Sequence, residues 1–296
     1  MNAVTIPEIT FVRASATSDW PDCARRGATK LIPREIEAAG YVLNKTQNGI
    51  GAAIGTSVHK AGSVMLDEKA KTGELPPVDV ATDAAIETMR EEIAPGVLWD
   101  KTTVDITEAE AQVLRMTRVF RRDVAPTIQP LIVEERLEAT VPFATQGIVL
   151  TGQADVIARE PGKVHDLKTG ARIRSHNPQI GCYSLLARST GIDVQTAGID
   201  FIQRVHITPK TKTQVQPPAI HQTHDIGKVE TAAVNVLKHI DASLKTFREG
   251  DAERGVLPGD PWAFIANPSS MLCSPKYCPA FNTDFCHEHA AVDGDE

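Results

Sequence analysis

The sequence predicts an α/β protein of the α+β kind, with helices first and then a small mixed sheet on which further helices pack. Three observations carry that expectation. Apolar residues recur at helical spacing through about 55–73, 81–93 and 107–123. Three strand-like runs follow in succession, from LIVEERLEAT at 131–140 to KVHDLKT at 163–169. Two more helical stretches, 178–187 and 226–249, then enclose the strand-like GIDFIQRVHI at 198–207. No internal repeat or low-complexity tract interrupts this order.

Residues 1–30 form an irregular lead-in containing WPDCARRG, followed by a polar helical stretch to about 48. GTSVHKAGSVMLDEKAKTG at 55–73 reads as a helix capped by Thr56 or Ser57 and stopped by Gly73, which puts His59 in its first turn. APGVLWDKTT separates the next two helices. VLTGQADVIAR and KVHDLKT flank Pro161-Gly162 and read as a hairpin in which Glu160 faces Lys163 and Asp155 lies opposite Lys168. Asn177 as cap and Pro178 at the first helical position open the next helix. TPKTKTQVQPP is a basic loop, and GDAERGVLPGDP breaks the chain into a cysteine-bearing end with an acidic tail, EHAAVDGDE, expected to be solvated.

The chain has 296 residues, 42% hydrophobic and 23% charged, enough for a sizeable core without covalent staples. No apolar run approaches the length of a membrane span, and MNAVTIPEITFVRAS lacks the layout of a secretion signal, so the expectation is a cytoplasmic protein with no membrane partner. A net charge of −7 argues against coating nucleic acid through overall charge, while leaving room for an enzyme with a local basic groove.

Side chains alternate along a strand, so Asp166 and Lys168 share a face, and the hairpin register adds Asp155. Converging carboxylates beside a lysine suit phosphodiester hydrolysis, because hard oxygen ligands hold Mg²⁺ or Mn²⁺ and a lysine can position the attacking water or meet the charge that builds on the phosphate. A solvated cross-strand ion pair is the alternative for D-x-K alone. Gln179 and Tyr183 lie one helical turn apart on one face. Arg172, Arg174 and His176, with Lys210 and Lys212, are candidates for phosphate contacts. GIGAAIG at 49–55, opening a helix, has the wrong spacing for a dinucleotide loop and no clear strand before it.

Five cysteines remain. Cys182 sits in the helix beside Tyr183 as a buried thiol. Cys23 stands upstream, while Cys273, Cys278 and Cys286 fall within CSPKYCPAFNTDFC, a spacing better explained by a metal than by disulfides in a cytoplasmic chain. Four thiolates suit Zn²⁺ or a [4Fe–4S] cluster, with His287 or His289 as substitutes in a zinc site.

G-x-x-x-H at Gly55–His59, G-Q-A-D at 152–155, D-L-K-T-G at 166–170 and Q-x-x-x-Y at Gln179–Tyr183 occur in that order. In this the chain resembles the RecB-like branch of the PD-(D/E)XK nuclease superfamily. The resemblance implies a restriction-endonuclease-like core, with His59, Asp155 and Asp166 binding the catalytic Mg²⁺ or Mn²⁺, Lys168 serving the attacking water, and Gln179 and Tyr183 reaching the substrate or bracing the site. Glu134 or Glu135 matches the acidic residue such enzymes carry on the preceding strand.

The one-plus-three cysteine layout further resembles the iron–sulfur subset, the AddB-type and CRISPR-associated exonucleases. It implies a [4Fe–4S] cluster on Cys23, Cys273, Cys278 and Cys286 that joins the chain's two ends. A single nuclease domain over 1–296 is then expected: an N-terminal segment (1–54), a helical insertion with the motif histidine (55–130), the nuclease core (131–250) and the cysteine segment with its tail (251–296). The implied function is DNA exonuclease action in recombination, repair or phage DNA processing, alongside a recombinase, annealing protein or helicase. A structure-selective endonuclease and a non-catalytic DNA-end or partner-binding module are the alternatives.

Overall fold

The computed structural model describes residues 9–159, 162–208, 210, 212 and 215–287. Strand β1 (Thr10–Arg13) is followed by two short helices, α1 (Ala24–Leu31) and α2 (Pro33–Ala38). Three longer helices come next: α3 (Ile50–Thr72), α4 (Val78–Ile93) and α5 (Ile106–Val119), the last continued by a π-helical turn over Phe120–Val124. Strands β2 (Pro130–Val133), β3 (Arg136–Thr140), β4 (Ile148–Gln153), β5 (Val156–Ala158) and β6 (Lys163–Gly170) lead to helix α6 (Asn177–Ser189). Strands β7 (Thr196–Gln203) and β8 (Ile220–Asp225) then precede α7 (Ile226–Glu249).

The strands form two sheets, β1-β4-β3 and β2-β5-β6-β7-β8. β6 and β7 are parallel, a pairing that needs a crossover, and α6 supplies it. The other pairs of the larger sheet are antiparallel, giving the mixed α/β architecture that the sequence predicts.

Alternation along β6 divides the interior into two cores. Leu167 turns toward α3, α4 and α5, joining Val58, Met65, Met89 and Met116 with Val156 and Ile202. Val164 turns to the opposite face, toward Ile180, Leu186, Leu237 and Leu244 of α6 and α7. That second core also takes in the three-stranded sheet through Val12, Leu137 and Leu150, and the C-terminal segment through Phe264 and Phe285.

Several boundaries differ from the sequence expectation for identifiable reasons. Helix α3 starts at Ile50 after Gly49, because Ile50, Ala53 and Ile54 are buried and their packing overrides the weak helix propensity of the glycines around them. Ser57 is therefore not a cap; its hydroxyl donates to the Ala53 carbonyl one turn back, and His59 sits in the third turn. His176, not Asn177, occupies the cap position of α6. β1 was hidden in the irregular lead-in and β8 in a polar stretch; β8 is an edge strand exposed along most of its length, without the apolar alternation that marks a strand.

LIVEERLEAT divides into β2 and β3, which belong to different sheets. The break falls at Glu134, whose φ of 45° is left-handed. The hairpin closes with Ala158 opposite Lys163 and Val156 opposite His165, two residues from the expected register, which carries Asp155 to the level of Asp166 instead of Lys168. An offset of two leaves every side chain on its expected face. Glu160 and Pro161 lie outside the described residues.

Arg248 near the end of α7 ties the early chain down. Its guanidinium donates to both carboxylate oxygens of Glu35 at 2.8 and 2.9 Å, to Thr10 Oγ1 at 2.8 Å and to Gln146 Oε1 at 3.1 Å. Removing one member of such a buried ion pair strands the other, so Arg248→Ala is expected to lower unfolding stability by about 3–5 kcal/mol in urea titration.

Candidate functional site

β2-β3 and β4-β5 form one antiparallel ribbon that passes from the larger sheet to the smaller. Val133 pairs with Val156 on one side of the break and Arg136 with Gln153 on the other, a constant register that sets Glu134 opposite Asp155. The Glu134 N–H donates to the Asp155 carbonyl at 3.2 Å. Both acids thus stand where the backbone leaves one sheet for the other, and their side chains meet His59 from α3. One ligand atom from each of His59, Glu134 and Asp155 falls within 4.8 Å of the other two. This settles which glutamate faces inward, because Glu135 is exposed.

His59 Nδ1 lies 2.8 Å from Asp155 Oδ1, and Asp155 Oδ2 accepts the Leu167 N–H at 2.5 Å. Burial opposes ionisation of Asp155, but His59, Lys168 and the Leu167 N–H outweigh it and hold the carboxyl below its usual range. His59 is raised: burial works against the imidazolium, and the Asp155 charge and hydrogen bond prevail. Glu134 is raised by burial and then by Asp155, with Ser63 donating to it in opposition.

Asp166 is 1% exposed and lies outside the 4.8 Å group. Lys168 Nζ sits 3.0 Å from its Oδ1 and 2.8 Å from its Oδ2. Burial pushes the Asp166 carboxyl up to about 6, with Asp155 adding to the shift and Lys168 opposing it. The carboxylates are therefore close enough to compete for ionisation, a situation that a cation relieves.

On α6, Gln179 Nε2 donates to the Tyr183 hydroxyl at 2.9 Å, and both residues are buried. Burial, then Asp166 and Asp155, raise Tyr183 and keep its hydroxyl protonated. His176 sits against Gln179, and burial followed by Lys168 and Arg174 pushes it down to about 4. Arg172 and Arg174 are exposed on the loop between β6 and α6, and the charge of Arg174 reaches both His176 and Asp22. Lys210 and Lys212 are also exposed.

Two motif glycines bring these elements together by close approach. A Cβ on Gly55 would lie 2.9 Å from Thr169 Oγ1, so α3 rests directly on β6. A Cβ on Gly152 would lie 2.7 Å from Leu186 Cδ1 and 3.0 Å from the Tyr183 ring, so α6 rests on β4.

The cavity behind His59, Glu134 and Asp155 is lined on its far side by His165 and Asp200. Asp200 is 3% exposed and holds two imidazoles, His165 Nδ1 at 2.8 Å and His221 Nδ1 at 2.6 Å. Burial opposes its ionisation, yet those histidines keep it below the usual carboxylate range. Sequence reasoning missed this network; its one signal was an aspartate inside the apolar run GIDFI.

Cys23, Cys273, Cys278 and Cys286 line a single cavity together with Arg25 and Arg26. All four are free thiols. Burial pushes Cys278 up to about 11, and burial together with Cys286 and Cys23 raises Cys273. Cys182 stands apart beside Thr17 Oγ1 at 3.9 Å, with burial pushing it up to about 12. His287 is exposed and pairs with Asp284; His289 lies outside the described residues. The two ends of the chain meet here: Arg25 N–H donates to the Ile265 carbonyl at 3.2 Å, and Ser270 Oγ donates to Asp22 Oδ2 at 2.6 Å.

Among solved structures, the chain is similar to an inferred exonuclease from Eubacterium rectale, with a TM-score of 0.52 at 12% identity over 89% of this chain and 87% of that one. A phage-related exonuclease from Haemophilus somnus 129PT matches at 13% identity over 67% of this chain and 95% of that one, with a TM-score of 0.24. The first likeness establishes a shared fold, a mixed α/β architecture consistent with the restriction-endonuclease-like core. No protein-family model and no curated protein matches the chain. Among the described residues, no helix is long and apolar enough to cross a membrane.

The tight seat of α6 on β4 can be tested by overpacking it. Gly152→Ala is expected to cost about 1–3 kcal/mol of stability, read by denaturant unfolding, whereas Gly191→Ala, at a site with no atom within 4 Å of the added carbon, tests only the cost of its left-handed φ.

Proposed function

We propose that the chain is a Mg²⁺- or Mn²⁺-dependent deoxyribonuclease, acting as an exonuclease on DNA ends. The observation that carries this reading is the convergence of His59, Glu134 and Asp155 beside the Asp166–Lys168 pair. Two carboxylates and an imidazole make a donor set that suits Mn²⁺ or Mg²⁺, and burial, with Asp155 adding to it, makes ionising Glu134 and Asp166 costly until a cation is bound. An exonuclease-named structure with the same fold supports the assignment.

His59, Glu134, Asp155 and Asp166 would hold the ion, which polarises the phosphate and lowers the pKa of a bound water when present. Lys168, fixed by both oxygens of Asp166, orients the attacking water and faces the charge that builds on the phosphate oxygens. Tyr183, protonated and braced by Gln179, supplies a hydroxyl to the phosphate side of the pocket. Arg172 and Arg174 add backbone contacts that carry no base information. The four-cysteine cavity supports a metal that fastens the C-terminal segment to α1, and we assign it a [4Fe–4S] cluster, with Zn²⁺ as the alternative.

The test uses end-labelled linear DNA and a covalently closed circle. Degradation of the linear substrate is expected with Mg²⁺ or Mn²⁺ and not with EDTA, with the circle spared. Asp166→Asn and Lys168→Ala are each expected to lower the rate at least about a hundredfold. Equal rates in wild type and both variants would reject the site, and cutting of the closed circle would favour the endonuclease reading.

Proton competition gives a second expectation. Asp166 titrates near 6, above the ordinary carboxylate value, so below that pH its proton must leave before a cation enters. Calorimetric Mn²⁺ affinity should accordingly fall as pH drops, first as the raised His59 takes up its proton and more steeply below about 6 as Asp166 does, by about tenfold per unit for each proton displaced. Asp166→Asn should remove the steeper part below about 6 and leave the share of His59.

A further inference from the structure

The cysteine cavity contains a buried cation whose position has a function of its own. Arg25 is 4% exposed, in the first turn of α1 two residues after Cys23, and its Nη1 donates to Cys286 Sγ at 3.8 Å. Its guanidinium also lies over the Trp262 ring, 5.4 Å from the centroid, and the Arg25 backbone N–H donates to the Ile265 carbonyl. The neighbouring Arg26, which also lines the cavity, contacts Asp22 through Nη2 at 2.7 Å and Asp19 at 3.2 Å. Arg25 therefore places a guanidinium against a cysteine sulfur of this cavity.

We propose that Arg25 is a tuning and positioning residue for the metal–thiolate centre, donating a charge-assisted hydrogen bond to Cys286 that stabilises the centre's more negative redox state. The proposal rests on the iron–sulfur reading above. Four thiolates concentrate negative charge in a largely buried place, and adding one electron increases it. A guanidinium held against one of the sulfurs favours the reduced form, because hydrogen bonds to sulfur and nearby charge set the potential of such centres. The Arg25 backbone is tied to the Ile265 carbonyl and its buried guanidinium lies over the Trp262 ring, so the donor is in place before the electron arrives. Lysine keeps the charge but lacks the planar fork that reaches the sulfur while stacking on the indole.

The experiment uses the full chain purified without oxygen, assayed for iron and acid-labile sulfide, then titrated with dithionite while the reduced-cluster signal is followed by electron paramagnetic resonance. Relative to wild type, Arg25→Gln is expected to lower the reduced-to-oxidised ratio at a fixed potential about tenfold, a midpoint about 59 mV more negative for a one-electron couple. Arg25→Lys should shift in the same direction by less. Iron-loaded variants with the wild-type midpoint would overturn the proposal while leaving the iron–sulfur reading intact. If Arg25→Gln loses its iron, Arg25→Lys decides: a negative shift supports the role and an unshifted midpoint removes it. Wild-type protein containing zinc or no metal in place of iron overturns the iron–sulfur reading and this inference together.

Discussion

The site depends on a change of sheet. A continuous antiparallel ribbon contributes β2 and β5 to one sheet and β3 and β4 to another, and it makes the turn without losing register. The bend is taken up at Glu134, whose left-handed backbone costs on the order of 1–3 kcal/mol for a residue with a side chain. It brings Glu134 and Asp155 out of the pleat side by side, where an unbroken ribbon would have kept both side chains standing off one sheet. The helix that covers this corner contributes His59, and the next strand contributes Asp166 and Lys168. Everything assigned to chemistry is referenced to that one discontinuity.

The electrostatics follow from placing three acids so close together. Lys168 serves Asp166, and His59 serves Asp155, while at Glu134 the Ser63 hydroxyl and the charges of His59 and Lys60 do not outweigh burial and Asp155. Asp155 stays ionised at the expense of its neighbours, whose carboxyls are raised. Two acids in the same pocket are therefore driven apart in proton affinity by their surroundings. The arrangement is poised rather than satisfied, in contrast to Asp200, whose two histidines leave its oxygens fully engaged only a cavity's width away.

Much of this was legible in the sequence where a period or a spacing carried the information. The common face of Asp155, Asp166 and Lys168 is expected from strand alternation, and a hairpin register offset by two leaves that expectation unchanged because the period is two. Gly55 and Gly152 stood in the quoted motifs, and the structure gives each a steric reason. The four cysteines were paired in expectation and do line one cavity. What could not be read was set by tertiary contacts. Nothing local chooses Glu134 over Glu135, since a backbone angle decides it. The start of α3 depends on the burial of Ile50 and Ile54, and β8 has no apolar face to announce it. Asp200 was visible only as an oddity in an apolar run.

The docking of the C-terminal segment on α1 has a consequence for how the molecule is made. Cys23 leaves the ribosome early, while its three companions follow only after the sheet, α6 and α7 have been synthesised. The ribbon, α3 and α6 can therefore assemble the acidic corner on the nascent chain while the thiol cavity is still missing three of its walls. Capture of the last segment then closes a loop spanning nearly the whole chain, at an entropic cost that grows only logarithmically with its length. The four thiols therefore share a cavity only on chains whose synthesis has passed Cys286.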